Sequence, residues 1–232
     1  MKKLLLLSAL LIFACSYGQG EQLYADGTAT DQNGNSFEWI NYGAEDWSIE
    51  NAEVVTYRDG TSIPQVTDDE EWFNLTTGAW CYYNNDSSNS KLYNAYAIFG
   101  KHDNDPNTPN KEFAPEGWSV PTNENWDYLL SSIGMEYSLF SLPHGQMSTG
   151  NEGSKLAGIE NLWFNNPNNC SGGQNGTDGT LIDNIEFNSS GFNWTPGGYR
   201  SGAWSGINPS FCLINEWGHL WSITSDGFYF YR

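Results

Sequence analysis

Basic residues are scarce. Nine Lys and Arg stand against 28 Asp and Glu, a formal net charge of −19 over 232 residues. A surface of that sign opposes phosphate backbones, so nucleic acid is not an expected partner. It also disfavours docking on anionic lipid by charge alone. Divalent cations would be drawn to it, although a solvated acidic surface is the simpler account. Long apolar runs are almost absent as well. The one present, Leu4 to Ala14 behind Lys2 and Lys3, is shorter than the roughly 20 residues a membrane span takes. No second run follows, so no transmembrane span is expected in the mature chain. Reaction signatures are missing too: there is no Gly-x-Ser-x-Gly elbow, no His-Glu-x-x-His and no phosphate-cradling glycine loop. The three histidines, His102, His144 and His219, are scattered. The many acids offer no pair set apart by context for glycoside hydrolysis.

The N-terminal run has the form of a secretory signal, basic then apolar then small residues. Two ends are open to it. Cleavage after Gly18 leaves a soluble secreted chain. The stretch Ile12-Phe13-Ala14-Cys15 resembles a lipobox, which would leave Cys15 lipidated and the chain held at the outer membrane. Residues 1–18 are read as this signal. Export permits disulfides. Cys170 lies in the loop-like run NNPNNCSGGQNGTDGT, which gains most from a staple, and a Cys170–Cys212 bridge is expected. Cys81, between aromatics in AWCYY, reads as a free, buried strand thiol.

Aromatics make up 16 % of the chain, with 11 Trp among them. The polar bulk is Asn, Gly, Ser and Thr, a composition that suits strands, turns and ordered loops. The stretch TATDQNGNSFEWINYG predicts a hairpin turning at Asn33-Gly34 in a type I′ turn. TDDEEWFNL predicts a short helix capped by Thr67 or Asp68, with its acids in the first turn. LYNAYAIFG carries helical spacing but also suits a strand.

The clearest local code is APEGWSVPTNENW. Val120 is extended because it precedes Pro121. Thr122 is the N-cap, and Trp126, Leu129, Leu130 and Ile133 form one apolar stripe. Gly134 ends the helix in the left-handed conformation. Later, FNWTPGGYRSGAW and HLWSITSDGFYFYR read as closing strands.

Two groups could carry ligand chemistry. Asp103, Asn104, Asp105 and Asn107 place hard oxygen ligands in one loop, as calcium loops do, although Asx residues around proline also simply make turns. Trp163, Trp204 and Trp217, with Asn215, lie in Gly- and Asn-rich context. Flat rings there could stack on sugar C–H faces while amides bond the hydroxyls; core packing is the competing account of each.

Taken in order, the pieces TDQNGNSFEWINYGAEDWSIENAEVVTYRDGTSIP, WFNLTTGAWCYYNND, LYNAYAIF, FAPEGWSVPTNENW, GSKLAG, GFNWTPGGYR and HLWSITS resemble the Fibrobacter succinogenes major paralogous domain, over about residues 28–232. The resemblance implies a single domain of α+β class, C-type-lectin-like, with short antiparallel strands, one or two helices and long ordered loops. It also implies distant similarity to formylglycine-generating-type domains, yet their reactive cysteine pair is not matched, since only Cys212 follows Gly173. Where the family carries an acid at the third helical position this chain has Asn125, so the capping box is expected to be incomplete. The EPN, QPD and WND tripeptides of calcium-dependent lectins are absent. The function expected is a secreted or surface-anchored, non-enzymatic binding module. It would recognise a glycan or a cell-surface protein through residues 160–215, with no required cofactor and calcium as an option. The alternatives are a structural or adhesive envelope domain and, with least support, an enzyme.

Overall fold

The computed structural model describes residues 25–134, 152–158, 162–163, 184–201, 210–224 and 229–231. Among these, every ladder between strands is antiparallel and short, and the helices are few, so the class is α+β as expected. Strands β1 (Gly27–Thr30), β2 (Ser36–Tyr42) and β3 (Glu45–Ser48) form a three-stranded sheet in that order. The register sets Ala29 opposite Phe37, and Ile40 opposite Trp47. The first hairpin is where the sequence put it, but its turn is of another kind. Gly34 alone has positive φ, at 86°. Asp31 rather than a type I′ pair shapes the loop: its Oδ1 accepts from the backbone N–H of Asn33 (2.8 Å) and of Asn35 (2.9 Å). A carboxylate that satisfies two loop donors makes a second left-handed residue unnecessary.

Helix α1 (Asp69–Phe73) starts at Asp68, whose side chain accepts from Glu71 N at 2.8 Å. Strand β4 (Trp80–Tyr82) pairs with β5 (Lys91–Tyr93). The ambiguous LYNAYAIFG stretch is both things in succession. Tyr93 closes β5, Asn94 caps, and α2 runs Ala95–Ile98.

Helix α3 (Asn123–Ser132) follows the corner as the sequence requires, with Thr122 as N-cap and Trp126, Leu129 and Leu130 buried. Gly134 sits at φ 90° beyond it. The capping box is complete, which corrects the expectation. Asn125 Oδ1 accepts from Thr122 N at 2.9 Å, and Thr122 Oγ1 accepts from Asn125 N at 3.2 Å. An amide oxygen does what a carboxylate does here, and its amide nitrogen adds a bond to Glu45 Oε1 at 2.6 Å. A short helix α4 (Glu152–Leu156), not foreseen, covers the same core. The closing strands are β6 (Gly197–Arg200) with β7 (Phe211–Ile214), and β8 (Gly218–Leu220) with β9 (Tyr229–Tyr231).

Three apolar clusters result among the described residues. The first joins β2, β3, α3 and α4 to Phe192 and Trp194. Within it the Trp47 and Trp126 rings lie 4.6 Å apart, centre to centre. The second gathers Val54, Tyr57, Ile63, Trp80, Tyr93 and Phe113. The third, around Val66, Trp72 and Cys81, encloses the Arg200 guanidinium. Arg200 donates to Val66 O (2.8 Å), Thr67 O (3.0 Å) and Asp69 Oδ1 (2.6 Å). The rings of Trp72 and Phe211 lie 4.6 and 4.8 Å away. A planar cation with five donors is suited to such a place, between two π faces and a set of carbonyls. Cys81 is a free, buried thiol as expected, and burial pushes its pKa up. No helix of the described residues is long and apolar enough to cross a membrane.

Candidate ligand cleft

A hollow of about 500 Å³ opens where the end of the first sheet meets the segment before β6. Its N-terminal wall comes from β2 and β3. The ladder sets Trp39 opposite Ser48, and Ile49 N donates to Glu38 O at 3.1 Å, which holds Glu38 beside the turn Ser48–Glu50. Ser48 Oγ donates to Glu50 O at 2.8 Å, and Glu50 Oε2 accepts from Glu38 N at 3.3 Å. This wall therefore carries two exposed carboxylates, Glu38 and Glu50, on a tied backbone.

Asn51 spans from this wall to the other. Its Nδ2 lies 3.3 Å from Ser90 Oγ and 3.2 Å from Thr195 Oγ1. Glu53, further along, is ion-paired with Lys91, whose ammonium also stands 5.4 Å from the ring centres of Trp80 and Tyr82.

The opposite wall is Phe192 to Thr195, with Leu162 and Leu220 beside it. A parallel bridge between Ala157 and Trp194 fixes its height: Trp194 N donates to Leu156 O at 2.9 Å and Gly158 N to Trp194 O at 2.8 Å. Asn193, between the two rings, has φ 57°, and its Oδ1 accepts from Asn188 Nδ2 at 2.9 Å. Asparagine tolerates that left-handed conformation better than most side chains. Trp194 needs Gly218 beneath it, because a Cβ at residue 218 would stand 2.2 Å from its Nε1. The result is an apolar floor of Ile49, Phe192, Trp194 and Leu220 under a rim of hydroxyls, amides and carboxylates. A concave site with an apolar base and a few converging polar groups is the usual form of a small-ligand site.

The residues singled out in the sequence fall unevenly around it. Trp163 is not a displayed ring. It is 9 % exposed, donates from Nε1 to Gly158 O at 2.8 Å, and packs edge-on against Trp194 at 6.2 Å. It backs the cleft wall from inside, because the indole N–H finds its acceptor in the core. Trp217 is half-buried and stacks on His219, with ring centres 5.9 Å apart. Asn215 has φ 65° and turns the chain between β7 and β8, with its N–H donating to Pro196 O at 2.9 Å. Neither Trp217 nor Asn215 lines the cleft. His219 also meets Tyr199 edge-on at 4.9 Å, and burial pushes its pKa down to about 4. Trp204, Cys170 and Cys15 lie outside the described residues. Cys212, the expected partner of Cys170, is buried with Ser210 Oγ at 3.5 Å, and among the described residues it is in no disulfide.

The Asp103 loop uses its oxygens on itself. Asp103 Oδ1 accepts from Asp105 N at 3.0 Å. Asp105 Oδ1 accepts from both Asn107 N and Asn107 Nδ2 at 2.9 Å, bonds that hold the Asp105 pKa low. These are consecutive Asx turns. Asn104 is exposed beside them. Among the described residues no cluster of three or more His, Cys, Asp or Glu is placed to hold a metal.

Glu38, Glu50, Asn51 and Asn193 were not singled out in the sequence. Nothing local marks them, since the cleft draws on residues from 38 to 220. The one available signal was Asn193 and Trp194 inside FNWTPGG, an amide and an aromatic adjoining a closing strand.

These features define a class: an α+β fold of short antiparallel hairpins carrying an open cleft that is apolar at its base and polar at its rim. Within that class the chain belongs to the Fibrobacter succinogenes major domain family, which it matches over residues 40–228. No curated protein and no solved structure matches it.

Proposed function

We propose that the protein is a secreted or cell-surface, non-enzymatic binding module that takes a glycan in the cleft between Glu38–Glu53 and Phe192–Thr195. One observation carries this reading: the hollow of about 500 Å³ joins aromatic and aliphatic side chains to amides, hydroxyls and carboxylates. Sugars need both surfaces, a flat apolar one for their C–H faces and paired donors and acceptors for their hydroxyls. The volume is inside the range of about 300–1,000 Å³ typical of small-molecule sites. Phe192 to Thr195 lie in the segment 160–215 that the sequence pointed to. The secreted or outer-membrane location rests on the basic, apolar and small-residue run at the N-terminus. The carboxylates of the Asp103 loop already serve turns, so chelation is expected to leave Tm unchanged.

The test is a glycan array followed by titration calorimetry with wild type and Asn51→Ala. Binding that weakens at least about tenfold in the variant is expected, as the loss of a contact worth about 1.4 kcal/mol or more. Absence of binding to any glycan at millimolar concentration leaves the structural or adhesive reading in its place. A second reading, a glycoside hydrolase, is favoured by the carboxylates that share the cleft. Against it, Glu53 is committed to Lys91, and Glu38 and Glu50 are exposed. General acids of that chemistry are desolvated. Release of reducing sugar by wild type and not by Glu50→Gln would establish the hydrolase instead.

A further inference from the structure

The wall of the cleft has a sign as well as a shape. Of its described lining residues three are acids, Glu38, Glu50 and Glu53, and none is Lys, Arg or His. Glu53 is offset by Lys91. Among the described residues no ion pair reaches Glu38 or Glu50. Every other polar group on the rim is uncharged: Ser48, Asn51, Ser90, Asn193 and Thr195.

Resting on the glycan reading above, we infer that the cleft selects uncharged, hydroxyl-rich saccharides and rejects those bearing uronic acid, sulfate or phosphate groups. An anionic group entering the cleft finds no cation to pair with among the described lining residues. It meets the field of two uncompensated carboxylates at the mouth, on a protein whose net charge is already −19. Hydroxyls are served well by the same groups. A carboxylate accepts from two neighbouring hydroxyls; Asn193 Nδ2 supplies a donor and Asn51 Oδ1 an acceptor, while Asn51 Nδ2 is held by Ser90 and Thr195 and Asn193 Oδ1 by Asn188. The apolar base contributes to neutral and acidic sugars alike, so it does not discriminate. Selection by charge is thus separable from binding by shape.

The experiment compares two probe sets on the full chain: neutral oligosaccharides of glucose, galactose, mannose and N-acetylglucosamine, and an oligogalacturonate of the same length. Affinities are measured at about 20 mM and about 500 mM salt, where screening lengths differ several-fold. The expected result is a neutral oligosaccharide that binds at least about tenfold more tightly than the acidic one at low salt, with the gap shrinking at high salt. The double variant Glu38→Gln, Glu50→Gln is expected to close most of that gap at low salt. Its fold is checked by circular dichroism, and the salt series on wild type reads the same quantity without any substitution. An acidic oligosaccharide that binds as tightly as the neutral set at low salt overturns the charge selection and leaves glycan binding standing. A gap that neither salt nor the double variant changes overturns it as well, since the preference would then come from shape. Failure of both probe sets to bind removes the glycan reading itself.

Discussion

The corner at Pro121–Gly134 and the cleft wall at Phe192–Thr195 are both built round tryptophan, yet they are specified in opposite ways. At the corner every instruction lies within about a dozen residues: a proline, a cap, an apolar stripe and a glycine. At the wall, Phe192 and Trp194 take their places from partners far along the chain. Those partners are Leu156 and Gly158 for the backbone, Trp47 and Trp126 for Phe192, and Gly218 for the Trp194 ring. Local code gives a helix that can be read in isolation. A site assembled from residues 38 to 220 cannot be read that way, because its geometry exists only after the sheets have paired.

The sharpest way to break the comparison is at the core they share. Leu129 is fully buried, and Leu129→Ala is expected to lower stability by about 3 kcal/mol, measured by urea denaturation. If corner and wall unfold as one cooperative unit, the fitted m-value stays unchanged while the midpoint falls; a lowered m-value would show them to separate. Next in size is Gly218→Ala. A methyl group there must displace Trp194, at a cost of about 2 kcal/mol. Ligand affinity at the cleft should fall with it, while far-UV dichroism of the helix is retained. A substitution that leaves Trp194 fluorescence and stability untouched would show the wall to be tolerant. Third is the cap: Thr122→Ala removes one half of the capping box and is expected to cost about 1 kcal/mol, with Asn125→Ala non-additive to it in a double-mutant cycle.

The smallest effect concerns pH. The His219 pKa is about 4 when folded, below its ordinary value of about 6.5, because burial disfavours the charged ring. Between these values the unfolded chain binds a proton that the folded chain does not. Stability is therefore lost as pH falls from about 6.5 toward 4. The contribution is on the order of 1 kcal/mol after discounting for the ring's partial exposure. His219→Gln should flatten the fall in Tm across that window, and an unchanged slope would assign the loss to other groups.

Much of the fold was legible where chemistry is local. Thr122, Asp68 and Gly134 announce helix ends by residue type alone, and Cys81 between aromatics announces a buried thiol. Where an alternative residue meets the same need, residue type alone does not show it. Asn125 completes a capping box that seemed to need an acid, and Asp31 forms the loop assigned to a left-handed pair at Asn33-Gly34. The candidate site was legible only as a neighbourhood. Trp163 has the same Asn- and Gly-rich context as a displayed ring would have, and only the position of Gly158 O makes it a core residue. Glu50 and Asn51 gain their significance from facing Thr195, 144 residues away from Asn51.

Arg200 imposes an order on the making of this protein. The carbonyls of Val66 and Thr67 and the carboxylate of Asp69 converge on a cation that lies more than 130 positions later in the chain. Until β6 is made, an emerging chain has no Arg200 to meet those acceptors between Trp72 and Phe211. The last quarter of the polypeptide thus acts as a latch, and a fragment that stops short of it is left with an acidic, unclosed seam.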